Sequence, residues 1–276
     1  MTQNNMNKQN CIFWVGVKPA DEYFQKKHGN FKYLDISEKC WRAWCKKNDV
    51  TFVHYNVNDL KLKPVRWNAP TWTRWFDVFD VLEDRGITPN KIAVIDGSSL
   101  VHPDTPNFFK LVPDTGVTAF RSLENLTWIH QGIKGYKNFF KGFEFDMTKY
   151  FSCGFQIFTS EHRPFLEKLK ELYTKNHTAI MHLQNEVVKR GTDQPVYNYL
   201  AQIEGIEMHL DVLPKRYMIT HLQRFDWLQN NWQLKTPIPH FIKHGYIWFF
   251  SGFTDRGARE NLMKQTWEII KDGYTT

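Results

Sequence analysis

Lys91-Ile-Ala-Val-Ile-Asp-Gly-Ser-Ser99 is an apolar run that ends on a carboxylate and passes at once into small turn-forming residues. An unbroken apolar run of this length predicts a short strand covered on both faces, and the Asp-Gly-Ser-Ser continuation predicts a turn at its carboxyl end. Cys11-Ile-Phe-Trp-Val-Gly-Val17, closed by Gly16 and Pro19, repeats the pattern and predicts the first strand of a parallel sheet; Val50 to Val57 predicts another. Between these strands the period changes. Asp35 to Lys47 places Ile36, Cys40, Trp41 and Trp44 at helical spacing with Lys46 and Lys47 in the last turn, and Thr73 to Glu83 places Trp75, Phe76, Phe79 and Leu82 on one face before Gly86. Strands alternating with helices predict an α/β fold: a Rossmann-type, mostly parallel sheet flanked by helices, with right-handed crossovers.

Further along, Gln131 to Phe143 interleaves Gly, Lys and aromatic residues without a clean period and reads as a mobile basic loop, either a lid or a platform for a second substrate. Phe151 to Phe158 returns to a strand pattern. Pro164 to Tyr173 reads as a helix with Pro in its first turn, and Gln194 to Ile203 as a further helix. Phe241 to Phe250 reads as a strand or extended segment, with Pro237 and Pro239 favouring the extended form. No internal repeat or long linker divides the chain, which predicts a single domain over residues 1–276.

Basic residues outnumber acidic ones, 36 to 29, for a net charge of +7. Such a surface favours anions: nucleotide phosphates, nucleic acid or an acidic membrane. The 22 Phe, 11 Trp and 11 Tyr exceed what a core needs, so some rings are expected to stack on a ligand. Cys11, Cys40, Cys45 and Cys153 have neither metal-finger nor CxxC spacing, which predicts packed, reduced thiols and a reducing compartment. The longest apolar runs fall short of the ~20 residues of a membrane span, and the polar first ten residues lack the features of a signal peptide. The expected location is cytoplasmic, at most peripheral to a membrane. The Gln131–Phe143 segment also supports a second class of reading, an aromatic, basic module for single-stranded nucleic acid. The dispersed lysines and the absence of any helix-turn-helix, RNP or zinc motif argue against it.

Ligands of open α/β sheets gather at the carboxyl ends of the strands, which singles out Asp96. It either meets a cation there or only caps its turn. His240 and His244, four apart, share one face of a helix or a strand, but no cysteine or HExxH pattern makes them a zinc fragment.

Ile95-Asp-Gly-Ser-Ser-Leu-Val-His-Pro-Asp104 resembles the strand-plus-DXD segment of GT-A nucleotide-sugar glycosyltransferases, where an acidic turn faces a metal-bound sugar diphosphate. Three further segments resemble the family in its order. Phe151-Ser-Cys-Gly154 is similar to its small-residue sugar pocket, Thr192-Asp-Gln-Pro-Val-Tyr-Asn198 to its Asp-Gln helix start, and Phe241-Ile-Lys-His-Gly245 to its C-terminal metal-binding histidine. The pattern is most similar to the retaining galactosyltransferase and glycogenin-like group.

The resemblance implies a GT-A-like domain in which residues 11–105 or so bind nucleotide and 106–276 build the acceptor side. It implies transfer of a sugar from a nucleotide diphosphate donor, UDP-sugar foremost, to a hydroxyl of a glycan or other acceptor, with retention. Asp193 would bond the sugar hydroxyls and Gln194 lie near the anomeric carbon, as the catalytic pair. Val15, Gly16, Arg74, Asp96, Ser98, Cys153, Gly154 and Lys243 would bind the donor. Asp96 and His244 would hold Mn²⁺ or Mg²⁺. One departure stands out: the second acidic residue of the family's motif is here Ser98, a weaker ligand for a hard cation. Lysine and arginine, from Lys215, Arg216, Lys243, Arg256 and Arg259, are the alternative partners for the diphosphate. Ser98 also keeps open a donor-binding protein without catalysis. Glu124 or Asp146 could act as a base for inversion instead of retention.

Overall fold

The computed structural model describes residues 9–18, 31–59, 69–123, 125–220, 223–224, 237–252 and 256–274. In chain order the elements are β1 (Cys11–Val15), α1 (Tyr33–Asn48), β2 (Thr51–Tyr55), α2 (Ala69–Asp84), β3 (Ile92–Asp96) and β4 (Ser99–Val101). They continue with β5 (Val117–Arg121), α3 (Leu126–Tyr136), β6 (Phe151–Phe158), α4 (Arg163–Lys175), α5 (His177–His182), α6 (Gln194–Ile203) and β7 (Met208–Leu210), and end with α7 (His240–His244), β8 (Ile247–Phe249) and α8 (Arg256–Ile270). The expected class holds: a mostly parallel six-stranded sheet, ordered β2-β1-β3-β6-β5-β7, is flanked by helices. β1/β2 and β5/β7 pair in parallel, and β6 runs antiparallel to β5. Among the described residues no helix is long and apolar enough to cross a membrane.

The chain forms two compact units, one of Met1–Asn58, Ala93–Val112 and Val212–Thr276, the other of Asp59–Ile92 and Pro113–Asp211. In the first, β1 is buried from Cys11 to Trp14 and α1 turns Cys40, Trp41 and Trp44 inward, as its spacing predicts, while Ile36 is half-buried. The tryptophans also carry polar handles. Trp44 Nε1 donates to the Thr105 carbonyl at 2.8 Å and its ring stacks on Phe108 at 4.8 Å. β4 and β8 form a separate antiparallel pair, Ser99 opposite Phe249, that sequence periodicity did not reveal. The Phe241–Phe250 segment is also corrected. It is not extended throughout: Pro239 precedes a short helix, α7, whose Ile242 and Lys243 amides bond back to the Pro239 carbonyl, and only Ile247–Phe249 is a strand.

In the second unit α2 packs on α4, with Trp72 against Tyr173 at 4.6 Å, and α6 lies on β6. A π-helical turn, Leu183–Val188, continues α5 and presents the buried Gln184 to Trp72 Nε1 at 2.9 Å. The segment expected to be a basic loop is helical in its first half, where α3 runs through Tyr136, and continues as a series of turns. Its glycines misled the reading: Gly135 is there because a Cβ would come within 2.4 Å of Val188 Cγ2, so only glycine lets α3 approach the π-helical turn. Two of the rings are not free to stack on bases either: Tyr136 is wholly buried and Phe140 stacks on Tyr199 at 4.4 Å.

Candidate active site

The second unit brings Arg74, Cys153, Gly154, Asp193 and Gln194 onto neighbouring elements. Asp193 occupies the position before α6, where a first-turn acid would ordinarily cap the helix, yet its side chain makes no cap bond. It is 2% exposed and turned into the unit. Oδ2 accepts from Arg74 Nη2 at 2.9 Å and from Trp75 Nε1 at 2.6 Å, while Oδ1 accepts from Thr192 Oγ1 at 2.7 Å. Arg74 is correspondingly no solvated helix-face charge: its side chain is 3% exposed and its guanidinium lies over the Trp75 ring. A carboxylate offers about four acceptor positions, so Asp193 retains capacity for a ligand hydroxyl.

The next residues fasten α6 to β6. Gln194 Oε1 accepts the Cys153 amide at 3.1 Å. One turn on, Asn198 grips Phe151 by both backbone groups, accepting from its N–H at 2.9 Å and donating to its carbonyl at 3.0 Å. The i, i+4 spacing of Gln194 and Asn198 sets both amides on the face that meets the strand. Gly154, half-buried, follows directly.

Tyr136, from the Gln131–Phe143 segment, Tyr197, from the Thr192–Asn198 segment, and His162, which its sequence context does not single out, belong to the same unit. The Tyr136 hydroxyl is buried without a hydrogen-bond partner; burial first, then the Asp193 carboxylate, hold its phenol well above the usual range. Burial likewise pushes the His162 imidazole down to about 3, and its Nε2 meets the Tyr197 hydroxyl at 2.8 Å. No motif flags His162; the signal available was the density of aromatics in its neighbourhood.

In the first unit the ends of β1 and β3 meet. The Gly97 amide donates to the Val15 carbonyl at 2.9 Å, and a Cβ at Gly97 would lie 2.5 Å from that oxygen, so glycine is what brings the Asp96 turn against Val15 and Gly16. A buried relay holds the turn in shape. Trp14 Nε1 donates to Ser37 Oγ, Ser37 donates to the Ser99 carbonyl, Trp41 Nε1 donates to Ser99 Oγ, and Ser99 closes on the Asp96 carbonyl at 2.6 Å. Asp96 and Ser98 are half-buried. Lys243 and His244 are exposed on α7, where the His240 and His244 rings lie 5.5 Å apart. Lys215 and Arg216 are exposed as well, Arg216 over the Tyr246 ring at 3.7 Å.

These residues do not by themselves make a divalent-ion site. Among the described residues no group of three or more His, Cys, Asp or Glu side chains is arranged to hold a metal, and Ser98 adds only a neutral hydroxyl where a hard cation favours carboxylates. Of the two alternative bases, Glu124 lies outside the described residues. Asp146 caps a 3₁₀ turn, accepting from the Thr148 amide and hydroxyl, and those bonds hold its carboxyl below the usual range, which suits a structural anion better than a base.

No protein-family model and no curated protein matches the chain. Solved structures do. A glycosyltransferase involved in the glycosylation of the major capsid of PBCV-1 aligns at a TM-score of 0.53 and 12% identity, over 92% of this chain and 99% of that one. GlyE of Streptococcus pneumoniae TIGR4, in its apo form, aligns at 0.49 and 13% identity over 98% of this chain and 63% of its own. The galactosyltransferase LgtC, solved with donor and acceptor sugar analogs, aligns at 0.45 and 12% identity over 95% and 96%. At such identities the likeness to the capsid enzyme speaks for architecture alone: the chain has the fold of GT-A glycosyltransferases.

Proposed function

We propose that the chain is a cytoplasmic glycosyltransferase that moves a sugar from a nucleotide diphosphate, UDP-sugar foremost, to a hydroxyl of a glycan or other acceptor, with retention. The observation that carries the reading is the buried Arg74–Asp193–Trp75 arrangement at the start of α6, in a chain with a glycosyltransferase fold. Such a pair roughly breaks even against apolar packing, so a gain in stability does not account for it.

In this reading the ends of β1 and β3 take the nucleotide: Val15 and Gly16 border the base and ribose, and Asp96 accepts from ribose hydroxyls. Asp193, oriented by Arg74 and Trp75, accepts from a donor-sugar hydroxyl. Gln194, fixed by the Cys153 amide, sets its carboxamide near the anomeric carbon, and Cys153 and Gly154 leave room for the ring. The bond from the anomeric carbon to the diphosphate oxygen breaks as the acceptor oxygen bonds to that carbon, and the acceptor proton passes to the departing diphosphate. Exposed cations such as Lys243 stabilise that leaving group. A divalent ion at Asp96 and His244, Mn²⁺ or Mg²⁺, would supply the same charge stabilisation.

Incubation with UDP-glucose, UDP-galactose, UDP-N-acetylglucosamine, UDP-xylose and GDP-mannose, with Mn²⁺ and separately with EDTA, tests the proposal by release of free nucleotide. The expected result is selective release from one donor that persists in EDTA and drops at least ~100-fold in Gln194→Ala. Binding of a donor without release would make the chain a donor-binding protein, the reading that Ser98 keeps open. Strict dependence on Mn²⁺, lost in both Asp96→Ala and His244→Ala, would assign the ion to those two residues.

A further inference from the structure

Within the second unit a cavity of about 620 Å³ opens beside the carboxyl ends of the parallel strands β5 and β7. Arg121, Phe143, Glu144, Asp146, Lys149 and Phe151 line it, together with the last turn of α6. Its size falls in the ~300–1,000 Å³ range of small-ligand pockets. The rim is fastened in place. The Gln202 amide accepts from the Asp146 N–H and donates to the Asp146 carbonyl, both at 2.9 Å, and Arg121 bonds the Thr148 carbonyl and, at 2.7 Å, the Asp211 carboxylate.

The charges in the lining balance, with two cations and two carboxylates. A nucleotide or another anion would meet Glu144 and Asp146; a cation would meet Arg121 and Lys149. What suits both signs at once is an uncharged ligand whose groups both donate and accept, which is the chemistry of a sugar hydroxyl. Phe143, half-buried, adds an apolar face of the kind that covers the C–H side of a pyranose. At ~1.5 Å per residue, Gln202 lies ~12 Å along α6 from Gln194. We propose that this cavity is an acceptor subsite that holds a neutral sugar residue of a glycan while a more distant hydroxyl is glycosylated. The proposal rests on the glycosyltransferase reading given above.

Saturation-transfer NMR on the full chain, with lactose, maltotriose, cellotriose, mannotriose and N-acetyllactosamine as probes and 3′-sialyllactose as the anionic control, tests it. At least one neutral probe should bind. Its affinity should fall about five-fold in Phe143→Ala and measurably in Glu144→Gln, an exposed change that leaves the fold intact. No neutral probe binding, preference for the sialylated control, or binding unaffected by both variants would overturn the subsite. Donor release measured on the same samples separates the two readings: release without saccharide binding removes only the subsite, and saccharide binding without donor release removes the transferase and leaves the cavity a saccharide site with no acceptor role.

Discussion

Asp193 lies where solvent hardly reaches, and Arg74, Trp75 and Thr192 each donate to it. Removing one charge from such a pair strands the other, at a cost of ~3–5 kcal/mol. Arg74→Met should therefore lower the unfolding free energy by about that amount in urea titrations, and adding Asp193→Leu should restore most of it. His162 gives a second residue-scale prediction. Its folded pKa of about 3 lies below the 6.5 of the free side chain, so between those values the unfolded chain binds a proton that the folded chain refuses. Stability from this site is complete above pH 6.5 and is lost as the pH falls, at up to ~1.4 kcal/mol per unit. His162→Gln, able to keep a bond to Tyr197, should flatten that part of the acid limb in thermal melts between pH 7 and 4.

At the scale of elements, Gly135 makes an expectation that runs against propensity. Alanine in a helix ordinarily gains ~1 kcal/mol over glycine, but a Cβ there would crowd Val188. Gly135→Ala should cost ~1–3 kcal/mol by overpacking, and Val188→Ala in the same chain should relieve it; denaturant midpoints check both. That crowding also explains why α3 was illegible. Gly132, Gly135 and the turn residues after Tyr136 carry the local signature of a loop, and the helix exists for contacts with the π-helical turn and α6 that no local window contains. β1 and β3 were legible for the opposite reason, since a strand buried on both faces announces itself in four or five consecutive side chains. α7 was read as extended because Pro239 breaks the pattern, although proline just before a helix is compatible with its start.

For the molecule as a whole, the α/β class was legible in the alternation of periods, whereas the interleaving of the two units was not. β4 in the first half of the chain pairs with β8 near its end, and Val212–Thr276 belongs with the N-terminal residues, a return that composition and period cannot encode. The candidate site was legible by kind of residue: Asp193 and Gln194 stood out through their resemblance to a family segment. Their partners could not be read in the same way, because Trp75 and Thr192 matter through the direction of one N–H and one O–H. The four cysteines were expected to be packed, reduced thiols, and all four are buried and unbridged. Burial holds the Cys40 thiol up at about 12 and Cys45 higher still, so neither supplies thiolate at neutral pH. Cys11, Cys40 and Cys45 lie in one unit and Cys153 alone in the other. A pulse of iodoacetamide followed by peptide mass mapping would thus act as a pair of independent clocks, each running only while its own unit is open.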